Sequence, residues 1–423
     1  MSIKDVVVEA ASNPLDPENN LRIGYEYDQI GQTAAAVGFY LRAAEYGFKS
    51  HKLITYNALL RIALCFHKQG GRDASYRHIL MQAIEHLPTR PEAYFLLSRF
   101  NEQASNWPEA YLWASLGLQY ATVELEPLMF DVDYYGKDCL VFEKGVSAWW
   151  VGRKNESISL LIDLSSSHLP EEYQNAIKYN LNMVAKLNKP NCPYDFIYGV
   201  NSVGKFYMPD IETDIIIHTI RNGNIYEELI INEFATYVRP DSIAIDLGAN
   251  IGQMTVALAK LCKKVYAVEP DQLMVEILYK NLELNEVDNY EIIPKASWDK
   301  SGQLLPFPEP DLNKYHSLGS FGIVPSAESN RLVPSIALDD LGLNDVSFIK
   351  VDVQGSDHKS MQGLRETILR CKPAIIFEHE PGLDAEFNTS FAEYEEFIDS
   401  IGYKIEKTVS SNNYLALPRE SHV

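Results

Sequence analysis

The chain has 423 residues, of which 46% are hydrophobic and 22% charged, and its formal net charge is −21. This length predicts two or three domains, and no apolar run approaches the length of a membrane span. The charge is uneven, since residues 191–423 carry 36 Asp and Glu against 19 Lys and Arg. Proteins that bind nucleic acid need a basic surface to offset phosphates, so this composition disfavours DNA or RNA as a partner.

The spacing of the cysteines and the composition of residues 1–9 bear on the cellular compartment of the protein. The five cysteines are scattered along the chain and never form a C-x-x-C pair, which is unlike a disulfide scaffold or a zinc site. The opening Met1–Glu9 is too short and too acidic for a signal peptide. We therefore expect a reduced, cytoplasmic protein without a membrane span.

Residues 1–190 are predicted to form an α-helical domain of tetratricopeptide-like repeats. Small and aromatic residues recur at the spacing of a helix pair, in copies about 35 residues apart. Small residues let two helices approach closely, and aromatic rings fill the space between them. The first copy contains Gly24, Tyr27, Gly31, Ala36, Tyr40 and Ala43. A helix over residues 171–187 is expected to close the stack.

The sequence leaves two roles open for this helical domain. A solenoid of repeats presents a concave surface that binds a protein partner or a substrate, whereas a packed helical domain can equally serve dimerisation or stability. Residues 124–138 interrupt the repeats with an acidic and aromatic loop, which suits either a sugar platform or a solvated connection. The expected partners are therefore a protein bound to the repeats or a second copy in a homo-oligomer.

Pro190 and Pro193 are predicted to end the helical domain. Residues 191–240 are interpreted as a lead-in to the next domain, with strand-like runs at 204–209 and 213–218 and a helix that begins near Tyr226. Residues 241–423 alternate apolar runs with helical patterns, which predicts a Rossmann-like α/β domain.

The centre of the α/β domain is the apolar run 242–247, which contains Asp246 and leads into the small residues 248–252. This pattern predicts a buried strand, a tight turn and a helix, and the next run ends in Glu269. The spacing D-x-G-x-x-x-G is not the G-x-G-x-x-G of a dinucleotide site, and the acid suits a cationic ligand. The pattern resembles the first two motifs of class I S-adenosylmethionine-dependent methyltransferases. Another Rossmann-like protein, such as a nicotinamide-dependent dehydrogenase, is the alternative.

Further strands of the sheet are predicted in chain order at residues 290–296, 346–352 and 374–380, with a closing hairpin at 403–406 and 414–417, while residues 333–340 are interpreted as a short strand that leads into a turn outside this count. Together they predict a mostly parallel seven-stranded sheet with a terminal antiparallel hairpin. The proline-rich and glycine-rich residues 302–333 form a long connection that includes Tyr315 and His316. Such a loop is either a lid over the site or a surface excursion without chemistry.

Candidate catalytic side chains are expected at the carboxyl ends of two strands. Strand alternation places Lys350 and Asp352 on one side of their strand, and Glu378 and His379 on opposite sides of the next. Asp352 suits orienting a cofactor or accepting a proton, and His379 is a base with a pKa near neutrality. Alternatively, Lys350 only neutralises Asp352, and His379 lies in the core. A divalent cation held by Asp352 with Glu378 or His379 is a further hypothesis.

Taken in order, the motifs resemble the FkbM-type methyltransferase family over roughly residues 200–408. They are Asp246–Gly252, Val268–Pro270, Asn281–Asn285, Ala337–Asp340, Ile349–Gly355 and Phe377–His379. The resemblance implies S-adenosylmethionine as the cofactor and O-methylation, mainly of sugars, glycans or glycosylated metabolites. The cofactor residues expected from it are Asp246, Gly248, Ala249, Asn250, Gly252, Glu269, Pro270, Ala296, Ser297 and Asp352.

One departure from the family pattern divides the functional hypotheses. Gln354 and Asp357 stand where the family usually has glutamate, and the missing first carboxylate puts any metal or base role at that position in doubt. The leading hypothesis is an O-methyltransferase for a carbohydrate or glycoconjugate, with repeats that recruit the acceptor or a protein partner. The alternative is a non-catalytic repeat scaffold with a degenerate methyltransferase-like domain.

Overall fold

The computed structural model describes residues 13–122, 125–309, 317–324 and 331–419. The chain divides into two compact units, Met1–Asn180 and Leu181–Val423. Among the described residues, no helix combines the length and the apolar character that crossing a membrane requires.

The first unit is helical throughout its described secondary structure, and consecutive helices pack in pairs. The helices are α1 Pro17–Gln29, α2 Thr33–Gly47, α3 Lys52–Gln69, α4 Asp73–His86, α5 Glu92–Gln103, α6 Trp107–Leu118, α7 Lys137–Trp150, α8 Lys154–Leu164 and α9 Glu171–Leu187, which crosses the unit boundary. The predicted tetratricopeptide-like architecture is confirmed.

Small residues allow these helices to pack closely, as the sequence predicts. A Cβ on Gly24 would lie 2.5 Å from Cδ1 of Tyr40, so the α1–α2 contact requires glycine there. Tyr40, Ala36 and Ala43 are fully buried around that contact. A similar contact occurs two helix pairs further on with the roles of the helices exchanged, since a Cβ on Gly117 of α6 would lie 2.8 Å from Cβ of Tyr94 of α5. The repeating pattern of small and aromatic residues therefore records the contacts between helices.

The second unit is an α/β domain preceded by a short hairpin. Its strands are β1 Phe196–Val200, β2 Lys205–Pro209, β3 Ile243–Leu247, β4 Lys264–Val268, β5 Tyr290–Ile293, β6 Ala296–Ser297, β7 Leu304–Pro306, β8 Leu332–Ile336, β9 Val346–Val351, β10 Ala374–Glu378, β11 Tyr403–Thr408 and β12 Asn413–Pro418. Its helices are α10 Ile215–Arg221, α11 Glu228–Tyr237, α12 Gln253–Ala259, α13 Gln272–Leu284, α14 Asp357–Gln362, α15 Arg365–Cys371, α16 Pro381–Asp384 and α17 Phe391–Ser400.

Seven of these strands form one sheet in the order β11-β12-β10-β9-β3-β4-β5. The pairs from β10 to β5 are parallel, while β12 runs antiparallel to both β10 and β11. All six residues of β9 are buried, because helices cover both faces of the sheet. Phe348 belongs to the core on one face and Ile349 to the core on the other. The predicted seven-stranded sheet and its terminal hairpin are confirmed.

Two sequence predictions about this unit are wrong. Residues 213–218 are not a strand, because Asp214 caps helix α10 by accepting hydrogen bonds from the backbone N–H of Ile216 (2.9 Å) and Ile217 (3.1 Å). That cap outweighs the β-branched run that follows it. The predicted strand 290–296 is divided: β5 ends at Ile293, and β6 pairs with β8 in a separate three-stranded sheet. Tyr315 and His316 lie outside the described residues.

Candidate active site

The turn after β3 is shaped by two glycines that tolerate no side chain. Gly248 has φ +79°, and a Cβ there would lie 1.8 Å from the backbone oxygen of Asp352. Gly252 has φ +94°, and its Cβ would lie 2.5 Å from Cδ1 of Leu278. Both positive φ values suit glycine. The turn therefore brings the carboxyl ends of β3 and β9 close together and leaves backbone facing the space between them.

That space is a crevice of about 220 Å³ at the carboxyl ends of β3, β4, β9 and β10, where α/β sheets bind ligands. Most residues predicted from the sequence line it. They are Gly248, Ala249, Asn250, Gly252, Glu269, Pro270, Ala296, Ser297, Lys350, Asp352 and Glu378. Residues 317–323 and the start of α10 complete the wall.

Glu269, at the end of β4, has both carboxyl oxygens oriented by backbone groups. One accepts from the N–H of Asn250 and the other from the N–H of Asp271, each at 2.9 Å. Burial, with the neighbouring carboxylates of Asp271 and Asp246, raises the pKa of Glu269 to about 7. Each oxygen keeps a further lone pair, so this side chain can accept hydrogen bonds from the hydroxyls of a ribose.

Lys350 and Asp352 form an ion pair at the end of β9. Lys350 Nζ lies 3.0 Å from Asp352 Oδ2 and 3.8 Å from Asp246 Oδ1. Burial opposes the charge on both partners, but Lys350 still lowers the pKa of Asp352 below its usual range, and the two carboxylates raise the pKa of Lys350. Asp352 is therefore ionised at neutral pH.

Asp246 lies beneath the crevice and is absent from its lining. It is fully buried, and its Oδ2 accepts a hydrogen bond from Thr255 Oγ1 at 2.5 Å. Asp246 and Lys350 are register partners on adjacent parallel strands, so their side chains share a face. Burial raises the pKa of Asp246. Asp246 therefore contacts Lys350 and Thr255 and is not among the residues that line the crevice.

Gln354 joins the two strand ends that carry acids. Its Nε2 donates to Asp352 Oδ1 at 2.9 Å and to Glu378 Oε2 at 3.3 Å. Burial and the charges of Asp352 and Asp357 raise the pKa of Glu378 to about 10, so this side chain is neutral near pH 7. A carboxylate at position 354 would repel the ionised Asp352 and could not donate a hydrogen bond to either neighbour, whereas the amide bridges them. The departure from the family pattern thus has a local electrostatic reason.

Glu227 lines the crevice although the sequence analysis did not single it out. It adopts a left-handed backbone conformation, with φ 52°, immediately before α11. The preceding residue is fixed by Gln253, whose side chain bonds both the N–H and the C=O of Tyr226. Burial and Asp352 raise the pKa of Glu227 to about 7. A strained residue held in a cleft is a signal of function, but no local sequence pattern reveals it.

His379 faces away from the crevice. Its Nδ1 lies 2.9 Å from Asp384 Oδ2, and its ring packs against Phe391 and Tyr394. It is absent from the crevice lining. Strand alternation, which places Glu378 in the crevice, turns its neighbour to the other face. The structure therefore does not bring His379 together with the other predicted catalytic residues.

The crevice has an excess of acids. Among the described residues that line it, Glu227, Glu269, Asp271, Asp352, Glu378 and Glu380 are acidic, and Lys350 is the one cationic side chain. In the described part of the chain, no group of three or more His, Cys, Asp or Glu side chains is arranged to hold a metal ion. The lining suits a ligand that carries positive charge and hydroxyl groups.

The strand order and the crevice at the switch between β3 and β9 define a class, the Rossmann-like class I methyltransferase domain. Residues 246–405 match the family model of the methyltransferase FkbM domain. This part of the chain is therefore an FkbM-type methyltransferase domain. The match spans less than half of the chain, begins within β3, includes β4 to β10 and ends within β11.

Relatives share only parts of the chain. A ribosomal protein L11 methyltransferase of Thermoanaerobacter is 38% identical over 56 residues, which cover 13% of this chain and 18% of that protein. An uncharacterized protein of Methanocaldococcus jannaschii is 37% identical over 70 residues, 16% of this chain and 27% of its own length. The chain thus spans less than a third of these curated relatives.

Solved structures align weakly with each part. A methyltransferase FkbM from Methylobacillus flagellatus KT has a TM-score of 0.30 and 18% identity, over 44% of this chain and 50% of its own. PilW, a type IV pilus biogenesis factor, has a TM-score of 0.33 and 15% identity, over 41% of this chain and 73% of its own.

Proposed function

We propose that this protein is an S-adenosylmethionine-dependent O-methyltransferase that acts on a hydroxyl of a sugar, glycan or glycosylated metabolite. The observation that carries the proposal is the crevice, where a turn bounded by Gly248 and Gly252 meets an excess of carboxyl groups. A methyl donor with a sulfonium and an ammonium group is a cation with a ribose, and both features match this lining. The family match of residues 246–405 supports the same activity.

The residues present fit the donor. Gly248 and Gly252 leave room for close approach to the backbone. Glu269 is oriented for ribose hydroxyls, and Ala296 and Ser297 border the same space near the adenine position expected from the resemblance. Asp352 and Glu227 offer carboxyl groups to the positively charged part. We assign donor binding to these residues, with Lys350 and Asp246 holding Asp352 in place.

S-adenosylmethionine supplies an electrophilic methyl group when bound. The chain must then orient the acceptor oxygen and take up its proton. Asp352 is ionised and lies at the crevice, so it is the proposed proton acceptor. Glu378 is neutral near pH 7 and can donate a hydrogen bond to the acceptor. Gln354 holds these two side chains together, because its amide donates a hydrogen bond to each of them.

The acceptor class rests on the FkbM resemblance and on the polar lining, since carboxyl groups are good partners for sugar hydroxyls. The helical repeats are proposed to recruit the acceptor or a protein partner, and the protein is proposed to work in the cytoplasm. Nucleic acid remains disfavoured by charge, because the second half of the sequence has 36 acids against 19 bases.

Titration calorimetry with S-adenosylmethionine tests donor binding directly. We expect a Kd on the order of micromolar, weakened in Asp352→Asn and unchanged in the control Asp299→Asn, whose carboxylate pairs with Lys359 and does not line the crevice. A labelled methyl donor with a panel of carbohydrates then identifies the acceptor. Absence of donor binding to the folded wild-type protein would refute the proposal.

A second candidate is a repeat scaffold whose methyltransferase domain binds the donor without turnover. Gln354 favours it, because an amide replaces the carboxylate usual in the family. This alternative predicts donor binding with no transfer to any acceptor. Gln354→Glu separates the two candidates. The scaffold is supported if the wild-type protein transfers no methyl group and the Gln354→Glu variant does.

A further inference from the structure

The chain segment between α6 and α7 lies on one particular face of the helical unit. Residues 125–136, here called the strap, contain no helix or strand. Their partners come from the first helix of successive pairs, namely Tyr25 of α1, Asn57 and Arg61 of α3, and Phe95 of α5. In a stack of helix pairs the first helices form one continuous face. The strap therefore crosses a groove built by three repeats, called here the first-helix groove.

The groove holds the strap largely through its main chain. Asn57 donates to the carbonyl of Phe130 at 2.9 Å and accepts from the N–H of the same residue at 3.0 Å. Arg61 donates to the carbonyl of Asp131 at 2.9 Å, and Arg90 donates to the carbonyl of Glu126 at 2.8 Å. Backbone groups are common to all peptides, so these contacts do not require the strap's own sequence.

One side chain anchors the strap. The ring of Phe130 stacks on Tyr25 with 3.9 Å between centroids and 6° between planes. The guanidinium of Arg61 lies 5.0 Å from the centroid of the same tyrosine. Arg61 and Arg90 reach only the backbone carbonyls of Asp131 and Glu126, and their own charges are paired with Asp28 and Glu92. An extended segment with an aromatic residue is thus the ligand that this groove accommodates.

The strap does not fill the space beneath it. A cavity of about 280 Å³ lies between Arg90–Glu92 and strap residues that include Leu125, Pro127 and Val132. Asn57 is fully buried under the strap and has its hydrogen bonds satisfied there. The groove thus binds the main chain of the strap and leaves a cavity beside it. These are the properties of a peptide-binding site that is occupied by a segment of the same chain.

We propose that the first-helix groove is a binding site for an extended peptide with an aromatic residue, and that the strap is its built-in competitor. A partner peptide of this kind displaces residues 125–136 and takes over the contacts with Asn57, Arg61 and Tyr25. The tethered strap has a high effective concentration, so it suppresses weak or unspecific peptides. This proposal concerns the helical unit and does not depend on methyl transfer.

A synthetic peptide with the sequence of residues 125–136, labelled with a fluorophore, tests the proposal on the full chain. Phe130→Ala removes the strap's anchor, so the variant is expected to bind the peptide about tenfold more tightly than wild type does. Phe48→Ala, which removes an exposed phenylalanine outside the strap and the groove, is the matched control and leaves binding at the wild-type level. Adding Asn57→Ala to Phe130→Ala, or replacing phenylalanine in the peptide by alanine, should abolish binding.

Hydrogen exchange on the wild-type chain gives a second measurement that needs no variant. The amide of Phe130, bonded to Asn57, should exchange through local opening and faster than the amides of α3, and faster still with excess unlabelled peptide. The proposal is overturned if the folded Phe130→Ala chain binds no peptide. It is equally overturned if the strap amides exchange only on global unfolding, because the strap is then a permanent part of the core. Affinity for S-adenosylmethionine reports separately on the proposed enzyme.

Discussion

At the scale of single residues, Gly248 offers the sharpest test of the crevice. Gly248→Ala places a Cβ 1.8 Å from the backbone oxygen of Asp352, so we expect at least about a tenfold loss of donor affinity and a destabilisation of about 1–3 kcal/mol. Gly302→Ala is the control, because Gly302 has the same φ of +79° but nothing within 4 Å of its Cβ. Calorimetry and thermal unfolding measure both variants. Equal donor affinities would show that the turn does not border the ligand.

Glu227 predicts a dependence of donor binding on pH. Because burial and Asp352 raise its pKa to about 7, it is largely protonated below neutrality, and a cationic ligand must displace that proton. Affinity for S-adenosylmethionine should therefore rise as the pH increases from about 6 to about 8. Glu269, whose pKa is also about 7, adds to the same rise. The uncharged sulfur of S-adenosylhomocysteine should make the rise smaller.

Glu227→Gln should flatten this pH profile in part, while the exposed neighbour variant Glu228→Gln should not change it. The unfolding free energy should change with pH in the opposite direction to the donor affinity. A carboxyl whose folded pKa is raised contributes stability below its ordinary pKa and loses it as the pH rises through about 7. The unfolding free energy of wild type should thus fall as the pH rises from the ordinary pKa of a glutamate to about 7, and it should fall less in Glu227→Gln. A pH-independent donor affinity in wild type would contradict the assignment.

At the scale of elements, Asp214 couples a helix to the crevice wall. Its Oδ1 caps α10, and its Oδ2 accepts from Ser317 Oγ at 2.9 Å and from the N–H of Leu318 at 2.7 Å. Asp214→Ala should cost about 1–2 kcal/mol through the lost cap and also weaken donor binding, because residues 317–323 lose their tether. Asp16→Ala removes the cap of α1 and is the control, with unchanged donor affinity. If Asp214→Ala leaves the donor affinity unchanged, residues 317–323 do not contribute to donor binding.

The elements also show where local patterns mislead. The β-branched run at 215–217 favours a strand, but the Asx-type cap before it and the contacts of Asp214 with residues 317–318 select a helix. The run at 290–296 reads as one strand, yet β6 pairs with β8, which is distant in sequence. Strand pairing is decided by partners that a local window does not contain.

At the scale of the whole molecule, the donor should stabilise one unit and not the other. All residues that line the crevice belong to Leu181–Val423. At about 100 times its Kd, S-adenosylmethionine should raise the unfolding free energy of that unit by about 2.7 kcal/mol. Scanning calorimetry, with hydrogen exchange to assign the transitions, should show no shift for Met1–Asn180. Gly248→Ala should show a smaller shift at the same donor concentration, and a wild-type chain without any shift would argue against donor binding.

The sequence by itself determined the two architectures and the centre of the site. Helix pairs, buried strands, the glycine turn 248–252 and the acid Glu269 follow from local periodicity and from backbone conformations that only small residues adopt. The tertiary structure decided which side chains share the crevice. It brought Glu227 from the lead-in to Asp352, turned His379 towards Asp384, placed Asp246 beneath Lys350 and laid the strap across the helical groove. These outcomes depend on contacts between residues distant in the chain, where burial and charge are set by packing that no local pattern encodes.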